Sequence, residues 1–360
     1  MLQRMVPQRV KTHAGFRMPA EWEPHAATWL AWPHETTDWP GKFAPIPWVY
    51  SEIVRHLSRV EKVRILIADK DAEQKARSIL EKSGAQMAAV EFFHLPTDRS
   101  WTRDYCPIFV SNSKGEQTLL NWRFNGWAKY SNFKRDDSVS QKLAPKLKRP
   151  LITPEWNGER MVLEGGSVDV NGLGSLLTTE ECLLSDVQAR NPQLTRADIE
   201  SVFRRYLGAH HTLWLKNGIA GDDTHGHVDD LARFTDAQTI VIASEDNKDD
   251  ANYEPLKENL ALLREMSRRM RNQDGLAFRV EKLPMPEPVV FAGQRLPASY
   301  ANFYIANGLV LMPTFNDAKD RVALNKLAQL FPDRKVTGIA ATDLVLGLGT
   351  LHCMTQQEPA

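Results

Sequence analysis

Three kinds of side chain in this chain are placed to do covalent chemistry: one cysteine, two histidines among acids, and isolated carboxylates at strand ends. Cys353 sits in Thr350-Leu-His-Cys-Met-Thr-Gln-Gln, directly after the glycine-spaced run Leu346-Gly-Leu-Gly. A lone cysteine is ordinarily a small buried hydrophobe. Set between a glycine turn and polar residues, it fits a nucleophile at the mouth of a site. A nucleophile needs a base and an orienting acid. Asp222-Asp-Thr-His-Gly-His-Val-Asp-Asp packs four carboxylates and two histidines into nine residues, which core packing does not explain. A solvated surface loop is the plain alternative. The chemical reading is a general base, His227 or His225, beside acids that accept a cation. His-x-His with acids also suits zinc or iron, but the other histidines form no second cluster, so a metal site ranks below covalent catalysis. Asp104, in Trp101-Thr-Arg-Asp, is either half of a local salt bridge with Arg103 or a carboxylate aimed into a site. Glu164 precedes two glycines at a strand end, where close backbone approach lets it be buried and orient a histidine. There is no glycine-rich phosphate loop, so nucleotide chemistry has no support.

These residues lie far apart in the chain, and the elements between them must bring them together. Val63-Arg-Ile-Leu-Ile-Ala reads as a strand. Asp71 is placed to cap a helix reaching about Lys82, with Gly84 as its stop. A second strand covers 88–95, a polar stretch runs from Asp98 to Asp104, and a third strand covers 107–110. The order recurs with a strand at 174–179 and a helix opened by the pair Thr195 and Asp198, a capping-box spacing. That helix carries the apolar stripe Ile199, Val202, Phe203 and Tyr206 and stops at Gly208; a strand at 211–215, the polar stretch around His227 and a strand at 231–234 follow. It recurs again as a strand at 309–312, a helix from Asp317 to about Leu330 with Val322, Leu324, Leu327 and Ala328 inward, a strand at 335–339, and the polar stretch that holds Cys353. A further copy runs from 239–243 through a helix near 253–270 to 278–281. Upstream, 28–32 reads as a buried strand, and a helix from about Pro47 carries Trp48, Val49, Ile53, Val54, Leu57 and Val60 on one face. Irregular repeats of one supersecondary unit predict radial α/β repetition, not a doubly wound sheet. Around an axis the equivalent polar stretches converge, which would join Asp104, His227 and Cys353. No linker divides the chain: residues 20–360 are expected to form one catalytic domain and 1–19 an N-terminal extension.

The chain of 360 residues balances 45 Lys and Arg against 45 Asp and Glu, so it offers no electrostatic case for nucleic acid or an anionic membrane. No apolar run approaches membrane-spanning length. Residues 1–18 are basic and polar, without the apolar core of a signal peptide. Cys106, Cys182 and Cys353 lie far apart with no CxxC pair. That pattern predicts a reducing, cytoplasmic setting, with Cys182 a buried structural thiol, and neither a disulfide framework nor a cysteine zinc site. Whether copies assemble into a homo-oligomer is left open.

Taken as a set, several stretches resemble the agmatine deiminase family of guanidine-modifying (pentein) enzymes. They are Trp22-Glu-Pro-His with Trp29-Leu-Ala-Trp-Pro-His, Trp101-Thr-Arg-Asp-Tyr, Phe124-Asn-Gly-Trp, Glu164-Gly-Gly-Ser, Thr178-Thr-Glu-Glu-Cys-Leu-Leu, Asp223-Thr-His-Gly-His-Val-Asp, Tyr300-Ala-Asn-Phe-Tyr and Leu351-His-Cys-Met-Thr-Gln-Gln. They run from about residue 20 to the end. The resemblance implies a five-bladed α/β propeller and hydrolysis of agmatine to N-carbamoylputrescine and ammonia in putrescine and polyamine biosynthesis, with no metal or organic cofactor. It implies Cys353 as nucleophile, His227 as acid and base, and Glu164 as its orienting acid. Asp104 and Asp229 would grip the guanidinium with Asp223 nearby, and Trp32, Trp101 and Trp127 would face the amine end. His225 stands where many relatives have asparagine, and Cys106 where glycine is common; neither departure removes a residue the chemistry needs. The competing readings are the same covalent chemistry on free or peptidyl arginine, a metal-dependent hydrolase built on His225, His227 and Asp229, and a non-catalytic guanidine- or polyamine-binding protein.

Overall fold

The central strands of this chain are buried at nearly every position, without a polar alternation, the pattern of strands covered on both faces. Leu309–Thr314 is buried at every position but its last. The computed structural model describes residues 15–274 and 277–360. Among the described residues, five sheets of three or four strands share one plan around such a strand: an antiparallel partner, the central strand, then a parallel partner reached through a helix. Ile108–Ser111, Gln117–Leu120 and Leu151–Ile152 make one sheet. Asp169–Val170, Ser175–Thr179 and His211–Leu215 make the next. Ala232–Asp236, Thr239–Ser244 and Arg279–Pro284 follow, then Tyr304–Ala306, Leu309–Thr314 and Lys335–Ala340. The remaining sheet begins with the chain's last strand, Gln356–Pro359. It pairs antiparallel with His25–Ala31, which continues in parallel to Lys62–Ile67 and Val90–His94. The C-terminus thereby completes the first blade, and the architecture is a five-bladed α/β propeller.

The helices between parallel strands are amphipathic, and local chemistry sets their ends. Thr195 and Asp198 form both bonds of a capping box on Arg196–Tyr206. Its buried Ile199, Val202, Phe203 and Tyr206 stabilise the packing by roughly 1.5–3 kcal/mol each. Asp317 and Asp320 cap Ala318–Leu330 in the same way.

Several expectations are corrected. The cap of helix Lys70–Ser83 is Asp69, whose side chain accepts from Ala72 N, with Asp71 inside the first turn. Helix Ala318–Leu330 buries Ala323 and Leu327, while Val322 is exposed and Ala328 faces outward. An apolar side chain on a crossover helix does not by itself say which face meets the sheet. Helix Ile46–Leu57 leaves Trp48 exposed, and Val60 lies beyond its end. The unit boundary also differs: strands 107–110 and 231–234 do not close their units but open the next sheet. The copy between Ile108 and Ile152 escapes pattern reading because its last strand has two residues and its helix, Val139–Leu147, contains Pro145.

Residues 1–14 of the expected extension lie outside the described residues. From Arg17 the chain is tied to the body: Arg17 N donates to Ser111 O at 2.9 Å, and Met18 is buried.

Candidate active site

Each sheet hands over to the next through a polar connection, and all five connections reach one place. They carry Asp104, Glu164, the pair His227 and Asp229, Asn302, and Cys353. A cavity of about 570 Å³ opens above them, lined by Cys353, Asp104, Trp101, Trp127, Tyr130, Asp223 and the apolar Leu296 and Leu346.

Cys353 is buried. Asn302 Nδ2 donates to its Sγ at 3.1 Å, and Asn302 Oδ1 accepts from Thr350 Oγ1 at 2.6 Å and from His352 N at 3.0 Å. The Trp101–Asp104 segment grips the same loop from the other side: Arg103 N donates to Cys353 O at 3.1 Å, and Thr102 Oγ1 to Met354 O at 2.7 Å. Asp229 Oδ2 lies 3.8 Å from Sγ, and Asp230 brings a second carboxylate within 4.8 Å of both groups. Burial, and then the charges of Asp229, Asp230 and Asp104, push the thiol well above its ordinary range.

His227 is fully buried at the centre of the acids. Nδ1 stands 3.9 Å from Asp104 and from Asp229, and Nε2 stands 3.8 Å from Glu164. These are contacts of charge beyond hydrogen-bond length, and neither ring nitrogen has a hydrogen-bond partner among the described residues. Burial opposes a charge on this ring. Asp104, the neighbouring Cys182 thiol and Glu164 outweigh it, and the imidazole is held well above its ordinary range.

The carboxylates differ by their partners. Asp104 Oδ2 accepts from Trp127 Nε1 at 2.8 Å and Oδ1 from Gly166 N at 3.1 Å. Burial nevertheless pushes its carboxyl to about 6; His227 opposes the rise, and Asp229 and Glu164 add to it. Glu164 would also rise by burial, but Arg190 and His227 hold it at about 2. Arg190 Nε donates to its two oxygens at 3.0 and 3.3 Å, and both side chains are fully enclosed. Asp229 is lowered against its burial, first by the hydrogen bond and charge of His352, whose Nδ1 lies 2.7 Å from Oδ2. Only a glycine fits at 166: a Cβ there would stand 2.6 Å from His227 Nδ1 and 3.0 Å from an oxygen of each of Asp104 and Asp229. Trp127 reaches Asp104 from a backbone at φ +57°, a left-handed conformation that non-glycine residues hold at a cost where function requires it.

The predicted residues Cys353, His227, Glu164, Asp104 and Asp229 thus converge, and Asp223, Trp101 and Trp127 line the cavity above them. Asp223 is engaged by Lys129 Nζ at 2.5 Å and by Tyr130 Oη at 2.6 Å. Trp32 lies outside this lining, its ring edge-on to Tyr50 with centroids 6.4 Å apart. His225 contacts Ser185 Oγ at 3.1 Å and Glu181 at 3.6 Å. Cys182 is buried, and its thiol lies with Glu164 and His227, ligand atoms within 4.8 Å of one another. That trio and the trio of Asp229, Asp230 and Cys353 are the close groupings of metal-ligand types among the described residues; His225 belongs to neither. Arg190, Asp230, Asn302, His352 and Glu21 went unread as site residues. Asn302 and Glu21 stand inside or beside quoted motifs, and His352 adjoins the cysteine, so their positions were visible although their partners were not.

A thiol ringed by acids, with a charged imidazole beside it, can attack a planar cation and donate a proton to its leaving group. A family model for Porphyromonas-type peptidyl-arginine deiminase matches residues 17–359. The agmatine deiminase of Pseudomonas aeruginosa is 34% identical, the match covering 96% of each chain. The solved agmatine deiminase of Enterococcus faecalis superposes with a TM-score of 0.86 at 31% identity over 96% of each chain. The C. jejuni agmatine deiminase superposes at 0.83 with 29% identity over 96% of this chain and 97% of that one.

Proposed function

The chain belongs to the Porphyromonas-type peptidyl-arginine deiminase family, and from that premise we propose that it is a cysteine-dependent agmatine deiminase. It hydrolyses agmatine to N-carbamoylputrescine and ammonia, a step towards putrescine. The observation that carries this reading is a buried thiol faced by Asp104, Asp229 and Asp230. Such a thiol is a poor nucleophile for a neutral or anionic electrophile and a good one for a cation that cancels those charges as it arrives.

A guanidinium is planar and resonance-stabilised, so water barely attacks it. Asp104 and Asp229 hold its nitrogens and set its carbon over Sγ, a near-attack geometry worth several kcal/mol. The same cation offsets the acids and lets Cys353 lose its proton. Cys353 adds to the guanidinium carbon. The charged His227 gives a proton to one –NH₂, the carbon–nitrogen bond breaks, and ammonia leaves. An amidino thioether remains. His227, now neutral, takes a proton from water as that water adds to the carbon. Collapse expels the sulfur, the hydroxyl proton passes to it and restores the thiol, and the neutral ureido product is left. The proton that Cys353 gave up at the start leaves with ammonia as ammonium. Glu164, locked by Arg190, keeps a negative charge next to His227 throughout and favours its protonated form. No step requires a metal.

Tail chemistry supports agmatine over arginine. An α-carboxylate asks for an arginine clamp. Arg99, in the described lining, is already paired with Asp38, donates to Asn132 at 3.2 Å and lies over the Tyr130 ring at 4.2 Å. Asp223, Tyr130 and the Trp101 and Trp127 faces suit a terminal ammonium instead. Asp223's partner Lys129 is 43% exposed, a pairing that substrate can displace at small cost.

Residues 20–360 act as one catalytic domain in this reading. No helix among the described residues is long and apolar enough to cross a membrane, and three unpaired cysteines support a reducing, cytoplasmic setting. The test is ammonia release from agmatine and from L-arginine in parallel, with wild type and Cys353→Ser. Turnover of agmatine, lost in the variant, is expected. Preference for arginine would overturn the substrate, and full turnover in Cys353→Ser would overturn the mechanism.

A further inference from the structure

Asp229 must stay ionised while buried beside Asp104, Asp230 and Cys353. Its two oxygens have different surroundings. Oδ1 has no hydrogen-bond partner among the described residues and stands 3.9 Å from His227 Nδ1. Oδ2 is taken by His352 Nδ1 at 2.7 Å. The other ring nitrogen of His352 lies 2.7 Å from Glu21 Oε2. Glu21 in turn meets Arg103 at 3.2 Å and Arg233 at 3.0 Å, and Arg233 meets Asp169 at 3.1 Å. Every member is buried.

Resting on the guanidine-deiminase reading above, we propose that His352 is a positioning residue that clamps Asp229 as an ionised carboxylate with one oxygen turned to the substrate, and that Glu21 fixes the ring for that task. Both ring nitrogens face carboxylates. The ring thus bridges Asp229 and Glu21, one nitrogen to each, at 2.7 Å on both sides. The groups facing Asp229 are His352, His227, Arg233, Asp104, Asp230 and the Cys353 thiol. Without His352, whose hydrogen bond and charge do most to lower Asp229, the repulsive members gain, and Asp229 takes up a proton at a higher pH. The guanidinium then loses one of its two holders in mildly acidic solution. The bridge also explains why an acid from the Ala20–His25 segment is buried next to the cysteine loop: it supplies the second acceptor.

The variant is His352→Asn, which keeps a donor towards Asp229 but removes the charge and the arm to Glu21. Two alkylators of Cys353 are compared on the full chain: chloroacetamidine, which carries an amidinium, and neutral iodoacetamide. Each forms a thioether and releases halide, so the ratio of their rates reads the carboxylate grip without turnover. The ratio is expected to fall further between about pH 8 and pH 6 in His352→Asn than in wild type, by up to about tenfold for each pH unit over which the carboxylate is protonated in the variant and still ionised in wild type. KM for agmatine should rise over the same interval by more than kcat falls. Glu21→Gln, which preserves shape, should move the same way by less, and it carries the test alone if His352→Asn does not fold. Profiles parallel to wild type in both variants, with only a lower melting temperature, would reduce the bridge to a structural one and overturn the proposal. A wild type that ignores agmatine but shows the expected alkylation ratios would sink the substrate reading and leave the clamp standing.

Discussion

Replacing Asp104 by asparagine should stabilise the fold and destroy the activity, with a sign that reverses in acid. The carboxyl sits at about 6 in the folded chain against an ordinary 3.8. A raised folded value means that the native state holds the proton more tightly than the unfolded chain. The contribution is therefore fully present below about pH 4 and is lost as pH rises through about 6. A gap of about two pH units at 1.36 kcal/mol each leaves wild type short by about 3 kcal/mol at pH 8. Asparagine never ionises and escapes that loss. It has one acceptor oxygen for two donors, Trp127 Nε1 at 2.8 Å and Gly166 N at 3.1 Å, so an amide N–H₂ must face one of them at a cost of about 1–2 kcal/mol. Asp104→Asn should thus be more stable than wild type by about 1–2 kcal/mol at pH 8 and less stable by a similar amount near pH 4. Urea unfolding at the two pH values measures both. Losing one ionic holder of a buried guanidinium costs about 2–5 kcal/mol, so kcat/KM for agmatine should fall by roughly thirtyfold to several thousandfold. A variant less stable than wild type by the same amount at both pH values would refute the claim that a buried charge at Asp104 is held at the expense of the fold.

Two further outcomes follow from the same geometry. Arg190→Met leaves Glu164 fully buried without its hydrogen-bonded cation, with His227 3.8 Å away, and should lower stability by about 3–5 kcal/mol, with Glu164→Gln in the same chain recovering part of it in urea unfolding. Trp127→Phe removes the donor to Asp104 Oδ2, so that carboxyl titrates higher still; the acid limb of kcat/KM should move upward from about 6, and an unmoved limb would show that Asp104 does not set it.

Much of this protein is local information. Strand runs, the Thr195–Asp198 capping box and the glycine stops depend on neighbours within a few residues, and they are legible because hydrophobic period and backbone capping act over that range. Recurrence of one unit then predicts radial symmetry, and radial symmetry predicts that polar connections meet. For that reason Asp104, His227 and Cys353 could be placed together from sequence, Glu164 could be read from its glycines as an acid orienting a histidine, and the family resemblance added the guanidinium-gripping roles of Asp104 and Asp229 and the substrate. Tertiary structure decided what no spacing encodes. It chose Asp69 over Asp71 as a cap and turned Val322 to solvent, because a helix face is fixed only by the sheet it meets. It set Trp32 against Tyr50, outside the cavity lining. It gave Glu164 to Arg190, the thiol to Asn302, and Asp229 to a histidine whose other side belongs to Glu21, 331 residues away. Charge state in this site follows from burial and from which opposite charge stands within a few ångströms, and those distances exist only once five separate connections have been folded onto one axis.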